Sequence, residues 1–248
     1  MLEAVYGWRK LMPLAGRDVI SVFSDPRDSP SASNGLIRLG SIVKLGEIDN
    51  IEDLCRRIRL FMGDTSVQAP IVAYSEVDPL DIVEDVEFVM EELSSYNDLD
   101  MMHSTYIETF GNEPDKFSRL LRLAPEYIGI KFVVPKSSSD GQSVGKALDC
   151  LNRAIYASEV RDSERYLIII LDDGSDINLL KKYFEIIRDG LGSDDRFDFA
   201  QGAALSSFDV IIRPNCSDLG KVLDAHRILL HPELDLSQQV IIDTSVIK

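Results

Sequence analysis

Two apolar runs constrain this chain more than anything else in it. Tyr127 to Val134 reads YIGIKFVV and Tyr166 to Leu171 reads YLIIIL, and neither has the polar alternation of a strand with one wet face. A strand that is apolar on both sides must be covered on both sides, and sheets covered in that way are parallel ones fed by helical crossovers. Neither run approaches the roughly 20 residues of a membrane-spanning helix. Pro135 closes the first run.

The rest of the chain repeats the same unit. Asp18–Ser24, Ser41–Ile48, Pro70–Tyr74 and Leu99–Tyr106 are predicted strands. Asn50–Phe61 is a predicted helix with Ile51, Leu54, Ile58 and Phe61 on one face and Asn50 as its cap. Pro79–Leu93 has helical spacing, although its second half, Val86–Leu93, also reads as a strand. Glu113–Leu123, Val144–Ala157, Asp176–Leu191 and Leu219–Leu230 are predicted helices, and Phe197–Ala203, Asp209–Ile212 and Gln239–Asp243 are further strands. About eight strands with intervening helices suit a (β/α)8 TIM-type barrel, and an open doubly wound parallel sheet uses the same units. No repeat or Pro-rich or Gly/Ser-rich linker divides the series, so one domain over residues 1–248 is expected.

Charge narrows the partners. The 248 residues carry 26 Lys plus Arg against 42 Asp plus Glu, a net charge of -16, with no local basic cluster. Such a surface repels phosphate backbones and anionic leaflets, so neither nucleic acid nor membrane is an expected partner. Met1–Leu14 places Glu3, Arg9 and Lys10 where a secretory signal needs an apolar core, which points to the cytoplasm. Cys55, Cys150 and Cys216 are odd in number and widely spaced, as reduced thiols would be.

Four stretches resemble type I 3-dehydroquinase, a (β/α)8-barrel lyase. Ser41–Asp49 (SIVKLGEID) resembles that family's second-strand motif, Thr105–Pro114 (TYIETFGNEP) its fifth, Ile128–Asp140 (IGIKFVVPKSSSD) its sixth and Leu167–Ser175 (LIIILDDGS) its carboxylate-binding loop. The resemblance implies an imine-forming lysine acting on a small keto acid, with no cofactor and no metal. Lys131 is the lysine available for that role, one residue out of register, and a one-residue slip turns a strand side chain to the opposite face. The family histidine falls near Tyr106 or Ile107, and the second-strand Glu and Arg fall on Leu45, Gly46 or Glu47.

Each candidate residue has two readings. Lys131, in an apolar strand, is either an amine nucleophile or a lysine at a strand end or helix-sheet gap, snorkelling outward or paired with an acid. His103 is a candidate for proton transfer, whereas His226 and His231, five apart, are helix-end residues. Asp172, Asp173 and Asp176 follow the strongest strand and either hold a cation or begin a turn and cap the next helix; capping is favoured. Cys216, just ahead of a helix, lacks an identified histidine partner. Glu47, Asp172 and Ser175 are the candidate substrate contacts, for a small carboxylate, and a homo-oligomer is left open. Two functions compete: a Schiff-base carbon-oxygen lyase using Lys131 and His103, and a non-catalytic α/β interaction subunit.

The dispersed basic residues lead to a first expectation: anisotropy titration with duplex DNA or RNA at moderate salt shows no micromolar association. Tight binding with a steep salt slope would reveal a basic face absent from the linear sequence.

Overall fold

The computed structural model describes residues 19–22, 42–44, 50–62, 71–75, 77–95, 103–139, 144–161, 163–191, 208–234 and 240–243. Eight strands form one sheet: β1 (Val19–Ser21), β2 (Ile42–Lys44), β3 (Ile71–Tyr74), β4 (Ser104–Thr109), β5 (Tyr127–Val133), β6 (Glu164–Asp172), β7 (Asp209–Asn215) and β8 (Val240–Ile242). Their order is β2-β1-β3-β4-β5-β6-β7-β8, and every adjacent pair is parallel. Six α-helices are described: α1 (Ile51–Met62), α2 (Val83–Ser94), α3 (Pro114–Arg122), α4 (Val144–Arg161), α5 (Ile177–Gly190) and α6 (Leu219–Leu229).

The helices form for local reasons. The Asn50 side chain accepts a hydrogen bond from the Asp53 amide at 2.7 Å and starts α1. Pro114 opens α3, where its missing N–H is of no consequence. Asp176 and Asp218 accept from the Asn178 and Lys221 amides at 2.9 and 3.2 Å, capping α5 and α6. Each helix then turns one apolar stripe to the sheet: Phe117, Leu120 and Leu121 from α3, Leu180, Phe184 and Ile187 from α5, Val222, Ala225 and Leu229 from α6.

All these stripes enter a single hydrophobic cluster with Ile107, Ile128, Ile130, Phe132, Leu167, Ile169, Val210 and Ile212. From β3 to β8 each strand lies one place beyond its predecessor, and the described helices pack on one face of the sheet. The chain is therefore an α/β protein built on an all-parallel sheet. The reversal at β2-β1-β3 is the strand order of the doubly wound alternative, and the β1–β2 connection lies outside the described residues. Two features depart from a regular barrel: β1 lies between β2 and β3, and among the described residues no strand pair joins β2 to β8, so the sheet is not closed.

Two sequence expectations change. Val86–Leu93 is helical, because Val83, Val86, Met90 and Leu93 bury one face at helical spacing. The strand expected at Leu99–Tyr106 is found at Ser104–Thr109, carried past Tyr106 because Glu108 is buried by pairing. The strand expected at Phe197–Ala203 lies outside the described residues.

The sheet's other face holds a smaller cluster of Ile71, Ala73, Tyr106, Tyr127, Tyr166, Ile168 and Ile211. Gly129 lets it close: a Cβ there would meet the Tyr106 hydroxyl at 2.9 Å and Ile168 Cδ1 at 3.0 Å. Gly129→Ala is expected to destabilise the protein by about 1–3 kcal/mol through overpacking, measured by urea unfolding. A neutral outcome would mean that this face packs loosely.

Candidate functional site

The sheet face turned away from the described helices, the inner face, ends toward the C-terminal edge of the strands in charged residues. Glu108 on β4 and Lys131 on β5 have opposite charge; Arg213 on β7 and Asp243 just after β8 complete the set, and all four are buried. Period-two alternation puts Glu108 on the same face as Tyr106, and Lys131 on that of Tyr127 and Gly129. The outward reading of Lys131, by register or by snorkelling, is thus corrected, and its other reading, a lysine paired with an acid, is the arrangement found. Its side chain is on the inner face, 7% exposed, with Nζ 3.8 Å from Glu108 Oε1.

Glu108 is the hub. Arg213 donates to it through both terminal nitrogens, Nη1 to Oε1 at 2.7 Å and Nη2 to Oε2 at 3.1 Å, a fork that fits a carboxylate. The Tyr106 hydroxyl donates to Oε2 in a short hydrogen bond. Arg213 Nε also lies 3.4 Å from Asp243 Oδ2. Burial alone would raise the Glu108 carboxyl, but the charges of Arg213 and Lys131, with the Arg213 and Tyr106 hydrogen bonds, outweigh it and hold the group below its ordinary range. Burial, reinforced by the Glu108 charge, pushes the Tyr106 phenol well above its ordinary value, so it stays neutral and donates.

Lys131 Nζ also donates to the Ser75 carbonyl at 3.5 Å and lies 4.1 Å from the centroid of the Phe110 ring. Phe110 in turn lines a cleft of about 400 Å³ with Asn112, Val133, Val134, Pro135, Lys136 and Asp172. The cleft opens where β4, β5 and β6 end, the edge at which parallel α/β sheets present their sites, and its volume suits a small ligand.

The other sequence candidates divide. Asp172 lines this cleft, and its Oδ1 accepts from the Asn215 side-chain amide at 2.8 Å. Ser175 is buried and braces the turn after β6: its hydroxyl donates to the Val134 carbonyl at 3.0 Å and accepts from the Asp172 amide at 2.9 Å. A substrate contact by Ser175 is replaced by this bracing role. Asp176 caps α5, and among the described residues no group of three His, Cys, Asp or Glu is placed to hold a metal ion. Glu47 lies outside the described residues. His103 precedes β4, at the opposite end of the strands from Lys131. Lys131 is level with Phe110, one step past the Thr109–Ile130 pair, so the two are roughly 23 Å apart along the strand at about 3.3 Å per residue. The pairing of Lys131 with His103 is therefore corrected: they do not share a site.

Sequence reasoning missed Glu108, Arg213, Asp243 and Phe110. The available signal was charge inside two otherwise apolar strands, Glu108 in TYIET and Arg213 in DVIIRPN, each on the same side of its strand as the aromatic or apolar residue two places before it.

No family model and no curated protein matches the chain. Among solved structures, one similar fold is a protein of Burkholderia cenocepacia J2315 provisionally described as a lyase/mutase, 10% identical, covering 97% of this chain and 81% of its own, with a TM-score of 0.36. A likeness of that degree bears no argument about this chain's chemistry. No helix among the described residues is long and apolar enough to cross a membrane.

Glu108→Gln leaves Arg213 and Lys131 facing no carboxylate on β4, and losing one partner of a buried pair costs about 3–5 kcal/mol. Because the folded carboxyl titrates below its ordinary 4.5, its contribution is complete above that pH and is lost as pH falls through the lower folded value. Urea unfolding should therefore show a wide gap between wild type and variant at pH 7 that narrows below pH 4.5. A gap unchanged down to pH 3 would contradict the ionised hub.

Proposed function

We propose that the chain is a Schiff-base carbon-oxygen lyase of dehydroquinase-like type, acting on a small keto acid. The observation that carries this reading is the buried, inner-face Lys131 Nζ beside Glu108 and against the Phe110 ring, which lines a cleft at the C-terminal strand edge. Replacing buried ion pairs by apolar groups commonly leaves stability unchanged or improved, so stability alone does not account for four charges in this layer. Perturbed groups beside a cleft are a mark of chemistry.

In this reading the Lys131 amine attacks the carbonyl carbon, and the carbonyl oxygen leaves as water with both amine hydrogens. The imine, once protonated, draws in the electron pair of the neighbouring C–H bond, whose proton passes to a base. The resulting enamine expels a β-hydroxyl, which takes up a proton and leaves as water; hydrolysis then frees the product and the amine. Glu108 is the carboxylate nearest Nζ, and its position below the ordinary carboxylate range makes it a weak base. Without an imidazole at the site, roughly 10²–10⁴ of the usual acid–base contribution is missing, and dehydration of 3-dehydroquinate should be slow.

The competing reading, an interaction subunit without catalysis, draws on the distance of His103 and on the contacts Lys131 already makes. Borohydride reduction in the presence of 3-dehydroquinate or pyruvate separates the two. A stable mass adduct on the peptide containing Lys131, lost in Lys131→Ala, is expected. With no adduct from either compound, the charged layer is structural and the lyase reading fails.

A further inference from the structure

The turn that follows β4 is held far more firmly than a connecting loop requires. The Asp78 carboxylate accepts from the Thr109 hydroxyl at 2.7 Å, the Phe110 amide at 2.9 Å and the Leu80 amide at 3.0 Å. The Thr109 hydroxyl accepts in turn from the Gly111 amide at 3.0 Å. Gly111 has a φ of +67°, and a Cβ on it would meet Cys150 Sγ at 3.1 Å, while that thiol donates to the Gly111 carbonyl at 3.2 Å. Burial pushes the Cys150 thiol up to about 12, so it remains a neutral donor. These contacts converge on one backbone position, that of Phe110. Its ring has the Lys131 amine on one side and contributes to the cleft wall.

From this geometry we infer that Phe110, fixed by Asp78, is the access- and size-determining residue of the Lys131 site: its ring covers the amine and admits small carbonyl compounds more readily than large ones. The inference rests on the cleft being the approach to Lys131, as proposed above, but not on any keto acid reacting there. Asp78 acts through Phe110 and is a positioning residue. Loss of its carboxylate leaves the Phe110 and Leu80 amides and the Thr109 hydroxyl to find other acceptors, which loosens the ring without removing it.

The test uses aldehydes of two sizes on the full chain. Formaldehyde with cyanoborohydride and pyridoxal 5′-phosphate with borohydride are each applied briefly, and labelling is mapped by mass spectrometry for every lysine, with exposed Lys182, away from the cleft, as internal standard. In wild type, Lys131 lags Lys182 with both reagents, and more so with the larger one. Phe110→Ala should speed Lys131 labelling by about tenfold, the order set by a desolvated cation–π contact, with the greater gain for pyridoxal phosphate. Asp78→Asn should give an intermediate gain, and Phe110→Trp should keep the lag. Buried Cys55 on α1, far along the chain from the turn, reports folding: it must stay protected from thiol reagents in every variant. An unchanged lag in Phe110→Ala, an equal gain for both aldehydes, or a lag lost in Phe110→Trp with Cys55 protected would each overturn the inference. Because neither aldehyde is a keto acid, this result is independent of the borohydride trapping that tests the lyase reading.

Discussion

The burial of Glu108 between Arg213 and Lys131 is the constraint on which the inner face depends. A lone carboxylate inside a sheet would cost several kcal/mol. Here two cations, a phenol and the neighbouring Asp243 close the set, so β4, β5, β7 and the end of β8 must hold their relative positions for any of these charges to be tolerated. Parallel pairing supplies that: Tyr106 pairs with Tyr127, Tyr127 with Glu164 and Tyr166 with Asp209, which fixes side chains far apart in sequence on one face, with Lys131 and Arg213 further along their strands than Glu108. A one-residue slip in any of the three strands would send its charge into the apolar layer beneath the helices.

The two faces divide the labour. The helix-facing side is mostly apolar and provides most of the burial, with Phe117, Phe132 and Phe184 among its largest fully buried side chains. The inner side is aromatic in its lower part, through Tyr106, Tyr127 and Tyr166, and charged above. Tyr106 links the two, its ring in the aromatic layer and its hydroxyl on Glu108. The same gradient puts polarity at the strand ends, where Phe110, Asn112, Lys136 and Asp172 border the cleft. Chemistry at that edge thus comes with a rigid floor.

Much of the fold was legible in local pattern. YIGIKFVV and YLIIIL required a parallel sheet; Asn50, Pro114 and Asp176 marked helix starts that the structure places within a residue; the apolar stripe of α1 named Ile51, Leu54 and Ile58, which pack in the core. The site was legible only in part. Lys131 stood out as a charge in an apolar run, but its facing depended on the pairing of β5 with its neighbours, and comparison with a family motif assigned it the wrong way. His103 attracted attention as a rare residue type, although position along the strand, not rarity, decides whether two side chains can meet.

The sequence by itself determined the alternation of strands and helices, the caps, the apolar faces and the acidic surface, because each follows from neighbours within a few turns or a few residues. Tertiary structure alone decided that β1 inserts between β2 and β3, that the described helices share one face, and that Glu108, Lys131, Arg213 and Asp243 meet. The physical reason is sequence distance. Glu108 and Arg213 are 105 residues apart, and nothing in either local stretch states that the other will neutralise it. A buried charge is tolerable only with its partner present, so the assembled sheet, and not either strand, makes the site.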